Sequence, residues 1–333
     1  MNRHSIVCIL IVIAVSLAAF AGEEISPLPR NLAPHEYGMP LPHMDDPTPP
    51  PDEPCRAIAE WEESEAVIFR WGSYNDILAQ IIGHVVSTTK AYIICSSNTQ
   101  ASSCRSYLLG QGVTPIDSVE FLIQATNSVW IRDYAPWWLW RLESWDLAMY
   151  EWDYNRPRPL DDVIPEWLAE IWNIEYYGID LTHTGGNWLL DSWNRAFCSQ
   201  LIQLENWGLT SQRVTEIFNE YCTLDTVMLG PTFFGIDHMN MYVKLVDDHT
   251  VIINQYPEGS PYNDEMEELV EMFSGLSNEY GVSFEVHRVL TENWVFSPYT
   301  YCNSLIANNV VVVPQYNHHP NDEDAIALYE ELL

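Results

Sequence analysis

Basic residues are scarce in this chain. Its 333 residues hold 14 lysines and arginines against 47 aspartates and glutamates, a net charge of −33 with histidine neutral. Such a balance repels phosphate backbones and anionic lipid surfaces, which argues against nucleic acid and acidic membranes as partners. It favours cationic ligands, arginine-bearing peptides among them, although solubility alone accounts for most of such a charge. Long apolar runs are also missing. The one run at the start, residues 6–18, follows Arg3 and His4 and precedes the small-residue site Ala19-Phe20-Ala21. It is too short to span a bilayer comfortably and predicts a secretory leader over 1–21, hence a secreted or periplasmic protein. No cysteine follows that site, so no lipid anchor is indicated. No integral membrane segment is expected after leader removal, and loss of Arg3 makes the mature chain one unit more acidic.

CxxC pairs and zinc-finger spacings are absent too. Of seven cysteines, Cys8 leaves with the leader; Cys55, Cys95, Cys104, Cys198, Cys222 and Cys302 remain. Export permits disulfides, but these spacings name no framework. Cys95 and Cys104 flank a predicted loop and could pair; free buried thiols are an equal reading. His183 and His318-His319 form no recognised ligand set, so no metal and no cofactor are expected. The 14 Trp and 18 Tyr raise carbohydrate chemistry, but no spacing singles out a glycosidase acid/base pair, and most of these rings are expected in the core.

What is present sorts into a proline-rich segment, 22–54, read as a linker that wraps the domain, and one domain from 55 to 333. Apolar β-rich runs alternate with amphipathic stretches. Strands are expected at 66–71, 91–95 and 119–124, with helices at 74–86 and near 103–109. Further on, a unit recurs: hairpin, helix, single strand. Its hairpins are 188–191/196–202, 241–246/251–255 and 303–307/310–314; its helices lie near 211–221, 263–279 and from 322; its single strands are 226–229 and 283–289. A spacing of about 50–60 residues suits a propeller-like module. The third unit stops inside its helix on Leu332-Leu333 without a cap, which predicts a truncated sequence.

Five short stretches close apolar runs, where loops carry chemistry. They are Trp130-Ile131-Arg132-Asp133-Tyr134-Ala135-Pro136, Tyr154-Asn155-Arg156-Pro157-Arg158-Pro159, Thr184-Gly185-Gly186-Asn187, Asp237-His238-Met239-Asn240 and Tyr301-Cys302-Asn303-Ser304-Leu305. Asp133, desolvated by Trp130, Tyr134 and Trp137, needs a partner, and a guanidinium fork meets both its oxygens. Arg132, its neighbour, is expected to point the other way on a strand. His238 and Asn240, two apart on an expected strand, share a face that suits acid/base work. Gly185-Gly186-Asn187 allows close backbone approach or positive φ. Arg156 and Arg158, stiffened by Pro157 and Pro159, are expected to point outward and suit a carboxylate. Asn303 could bond a substrate backbone. Each has a structural alternative: ion pair, satisfied core histidine, or turn.

With those residues in view, the chain from about 55 onward resembles the bacterial secreted peptidylarginine deiminases, relatives of the agmatine deiminases in the guanidine-modifying pentein superfamily. The resemblance implies an α/β propeller of ββαβ-type modules, the last incomplete here. It implies hydrolysis of a guanidine to a ureido group and ammonia through a cysteine thiolate. Asp133 then holds the guanidinium, Trp130 lines the pocket, His238 is the acid/base, Asn303 contacts substrate, and Arg156 and Arg158 engage a C-terminal carboxylate. Two departures stand out. Asn240 replaces a carboxylate usual in the family, and no cysteine present matches the nucleophile, which the resemblance places beyond Leu333. The expectation is therefore a peptidylarginine hydrolase whose 333-residue chain is inactive. Alternatives are a non-catalytic binder of arginine-like ligands on the same scaffold, or an agmatine deiminase.

Overall fold

The computed structural model describes residues 28–29, 31–44, 47–233, 235–277, 280–291, 299–316 and 319–333, with the backbone of 11–16. In chain order the first elements are β1 (Ile11–Ser16), β2 (Cys55–Ala57), β3 (Ala66–Arg70), α1 (Asn75–Val85), β4 (Lys90–Cys95), α2 (Asn98–Gly110) and β5 (Val119–Ile123). Then follow α3 (Ile131–Tyr134), β6 (Trp137–Arg141), β7 (Leu147–Tyr154), α4 (Pro159–Asp162), α5 (Ile164–Trp172) and β8 (Glu175–His183). The third stretch is β9 (Leu189–Leu190), β10 (Arg195–Ser199), α6 (Leu201–Glu205), α7 (Ser211–Cys222) and β11 (Thr226–Gly230). The last is β12 (Val243–Leu245), β13 (Thr250–Gln255), α8 (Asn263–Ser274), β14 (Glu285–Leu290), β15 (Leu305–Ala307), β16 (Val310–Gln315) and α9 (Asn321–Leu332).

These strands form five separate sheets among the described residues. Three share one order: β6-β7-β8, β9-β10-β11 and β12-β13-β14 each pair the first two strands antiparallel and the last two parallel. The connection into the parallel strand passes through a helix, as parallel pairing requires. β2 extends the first of these by pairing with β6. The predicted units at 188 and 241 are thus present. A further copy at 137–183 went unread, because Trp137-Trp138-Leu139-Trp140 and the almost wholly buried β7 carry no alternation. In the fifth sheet β15 and β16 make the antiparallel pair, and β1, from the segment read as a leader, lies parallel to β16 where the other units place their closing strand. The first sheet, β3-β4-β5, is wholly parallel, and its central strand buries Ala91, Ile93, Ile94 and Cys95 completely.

Helix boundaries follow the caps. α2 begins earlier than its apolar residues indicate, because the Ser97 hydroxyl accepts the Gln100 N–H, and Thr210 caps α7 through Arg213 N–H in the same way. The strand expected over 196–202 stops at Ser199, where the chain turns into α6. The strand expected from 241 begins only at Val243.

Residues of the proline-rich segment lie against the domain as a strap. Tyr221 donates to the Thr48 carbonyl, Thr48 and Gly178 exchange bonds, and Met44 N–H donates to Asp153 at 2.8 Å. A Cβ on Gly178 would stand 2.3 Å from the Met44 sulfur, so a larger residue there would require the Met44 side chain to move. His43 meets Asp153 at 3.1 Å, and with Asp180 their ligand atoms fall within 4.8 Å of one another. His43 and Asp180 are exposed, and the arrangement is accounted for as an ion pair.

Candidate active site

Asp133 lies on α3, one helical turn, and not in or after a strand as the sequence suggested. It is 7 % exposed, and its Oδ1 stands 3.6 Å from Nδ1 of His238, itself 3 % exposed. The two groups come from loops of different sheets and meet across Gly186. A Cβ on Gly186 would fall 2.2 Å from the His238 Nδ1 and 2.8 Å from the Asp133 Oδ1; one on Gly185 would fall 2.3 Å from the Arg132 carbonyl. Neither glycine has positive φ. The pair serves close approach, the first of the two expected uses. Thr184 Oγ1 lies 3.5 Å from the other imidazole nitrogen, Nε2.

Asn187 fixes the frame. Its Oδ1 accepts both Ser199 N–H, at the end of β10, and Met239 N–H, just after His238, at 3.0 and 3.2 Å. Met239–Met241 is a tight helical turn with His238 as its first cap, so the two-residue strand period invoked for His238 and Asn240 does not operate. The turn follows Asp237, which sits at φ 54° and accepts Phe233 N–H. Asn240 is half-buried, and its Oδ1 has no hydrogen-bond partner among the described residues.

Arg132 does turn away from Asp133, for another reason than strand alternation. Its guanidinium packs over Trp137 at 4.9 Å and pairs with Glu60 at 3.5 Å. Glu60 also holds Lys244 at 2.5 Å and accepts Ile306 N–H, tying this loop to β12 and β15. Trp130 is half-buried beside Tyr74, and its indole N–H donates to the Leu28 carbonyl of the strap. Asn303 is exposed in the turn before β15, with its N–H on the Thr300 carbonyl. Arg156 is half-buried and donates to the Asn155 carbonyl. Arg158 corrects an expectation. It does not point outward: it is 0 % exposed, with Nε and Nη2 on the Glu36 carboxylate at 2.8 and 3.0 Å and Nη2 also on the Pro29 and Asn31 carbonyls.

Beside Asp133 a pocket opens between α3, β6, β7 and α4, walled by Trp137, Glu151, Trp152, Tyr154 and Asp162. Burial pushes the Glu151 carboxyl well up, against a hydrogen bond from the Tyr176 hydroxyl. Burial likewise raises Asp162 from 3.8 to about 6, although it accepts Tyr154 N–H at 2.7 Å. Both walls therefore resist charge next to Asp133. A raised carboxyl adds stability that is full below its unfolded value and is lost as pH rises through the folded one. Asp162→Asn is accordingly expected to flatten the stability profile between about pH 4 and 6, gaining up to about 2–3 kcal/mol at neutral pH. Urea unfolding at both pH values checks this; parallel profiles for the two proteins would refute it.

All six cysteines among the described residues are buried and unbridged. Burial raises Cys302, Cys198 and Cys222, and Cys302 donates to the Ile252 carbonyl at 3.5 Å. Cys95 is lowered, but by a hydrogen bond from Cys104 inside the first sheet's core. None resembles an exposed thiolate beside the Asp133–His238 pair.

A desolvated carboxylate thus faces an imidazole on a multi-sheet α/β scaffold. Two solved structures share that scaffold. The agmatine deiminase of Enterococcus faecalis matches with a TM-score of 0.72 at 17 % identity, covering 84 % of this chain and 88 % of that one. The C. jejuni agmatine deiminase matches with a TM-score of 0.66 at 19 % identity, covering 84 % and 86 %. Residues 56–333 match the Porphyromonas-type peptidyl-arginine deiminase family, and the chain belongs to it. Membership places it among hydrolases that act on guanidino C–N bonds.

Proposed function

We propose that the site binds the guanidinium of arginine in peptides for hydrolysis to citrulline and ammonia, with a C-terminal arginine favoured. The observation that carries this is the buried Asp133 carboxylate 3.6 Å from His238, both 7 % exposed or less. A planar guanidinium offers two parallel N–H donors to one carboxylate. The unpartnered Asn240 Oδ1 supplies an acceptor for another N–H, and His238 moves protons. Trp130 closes over the ligand, Arg156 reads its carboxylate, and Asn303 contacts its backbone; Arg158, held by Glu36, joins Arg156 only when that pair opens. The five sheets stand as blades of one propeller, the fifth keeping β15 and β16 once the leader and its β1 are removed, and the protein acts outside the cytoplasm. The covalent step of this chemistry needs a thiolate, and the described cysteines are all buried. The 333-residue chain is therefore expected to bind guanidines without releasing ammonia.

One observation favours a second reading. Glu36 already neutralises Arg158, which suits a guanidine lacking a carboxylate, such as agmatine. Calorimetry with agmatine and with an Arg-terminated peptide, alongside an ammonia assay, tests both. The expected result is binding that Asp133→Asn weakens about 10–100-fold, the loss of one charge-assisted pair. No binding of either ligand would refute the guanidine reading. Ammonia release would refute the assignment of the cysteines.

A further inference from the structure

Arg158 and Trp130 are the two ligand-reading side chains that the strap occupies. Leu28 takes the Trp130 indole N–H, and the next residue, Pro29, takes Arg158 Nη2. The main contact is Glu36. Its two oxygens receive Nε and Nη2 of Arg158 in the side-on geometry with which an arginine grips any carboxylate. Glu36 is 3 % exposed and Arg158 fully buried, so no second carboxylate reaches this guanidinium while the strap is seated. Arg158 Nη1 is left buried without a partner among the described residues, so the internal carboxylate does not exhaust the donors of the guanidinium. α3, with Asp133, packs on α4, which Arg158 caps. The carboxylate grip and the guanidinium-binding carboxylate are thus on adjoining turns.

We propose that Glu36 is a specificity-determining residue: it fills the carboxylate-reading position of Arg158 from within the same chain, and so narrows the preference for ligands carrying a free carboxylate beside their arginine. The proposal rests on the guanidine reading of the site. A C-terminal arginine engages Arg158 only by displacing Glu36, whereas a guanidine without a carboxylate binds with the strap in place. Arg158 is exchanged between two carboxylates of like chemistry, so displacement costs little in bond energy and most in freeing the strap.

The test measures affinities of one Arg-terminated peptide as its free acid and as its C-terminal amide, by calorimetry on the full chain. In Glu36→Ala the acid-to-amide affinity ratio is expected to rise about tenfold or more over the unmodified protein, one charge-assisted pair gained. In Glu36→Ala/Arg158→Ala that rise is expected to disappear. Glu36→Gln, which keeps the shape and one acceptor, is expected to fall between and serves where alanine impairs folding. An unchanged ratio in both Glu36 variants, with agmatine still bound, would overturn this inference and leave the guanidine reading standing. A rise that survives loss of Arg158 would also overturn it. Loss of agmatine and both peptides from every form, including the unmodified chain, removes the guanidine reading and this inference with it.

Discussion

Gly186→Ala is expected to abolish guanidinium binding while leaving the sheets intact. The added methyl would lie 2.2 Å from the His238 ring and 2.8 Å from the Asp133 carboxylate oxygen. Neither neighbour is free to yield. Asp133 is fixed on a one-turn helix whose Tyr134 hydroxyl is anchored to the Ser128 carbonyl, and His238 is followed at once by the Met239 N–H bond to Asn187. The pair must separate, and a guanidinium loses the carboxylate and the imidazole together. Overpacking of this kind costs about 1–3 kcal/mol of stability, a modest fall in melting temperature. Affinity for agmatine is expected to drop by more than a hundredfold. Near-normal affinity with a normal melting curve would show that the loop can shift and that the close approach is not required.

Arg158→Ala is expected to have the largest effect on stability. It leaves the Glu36 carboxylate buried with only the Ala33 N–H, and breaking one side of a buried ion pair costs about 3–5 kcal/mol. The first consequence is local: the strap over 31–44 lifts, since a segment held by few contacts opens before the body does. Hydrogen exchange in those residues is expected to accelerate ahead of any global change. Burial alone would raise Glu36, but the Arg158 bond and the Ala33 N–H overcome it and hold the carboxyl below its ordinary range. A lowered carboxyl contributes stability above its unfolded value and loses it as pH falls through the folded one. The gap between the two proteins should therefore close in acid. Equal exchange in the strap at neutral pH, or a gap that widens in acid, would contradict this account.

The residue types of the site were legible because each is a rare chemical choice in its context: a carboxylate among tryptophans, a histidine beside an amide, two arginines in an acidic chain. The backbone that carries them was not. Asp133 and Asn240 sit on single helical turns, too short for any period to register. The separation of Arg132 from Asp133 was read correctly from the wrong geometry, since Glu60, 72 positions away, does the work. Arg158 was misplaced because its partner lies 122 positions upstream in a proline-rich stretch that composition marks as unstructured. The repeated hairpin–helix–strand unit was visible wherever strands were short and flanked by turns. It was lost at β6 and β7, where aromatic residues on both faces erase alternation. The role of Gly185 and Gly186 was half legible: a glycine pair announces crowding or a turn, and only the neighbouring Arg132 carbonyl and His238 ring decide which.

Asp133, Gly186 and His238 follow one another at wide intervals along the polypeptide. A ribosome that has delivered the first of these has made a carboxylate with nothing opposite it, and the imidazole emerges about a hundred residues later. Until that loop docks onto Asn187, the two groups that face each other across Gly186 have not been brought together.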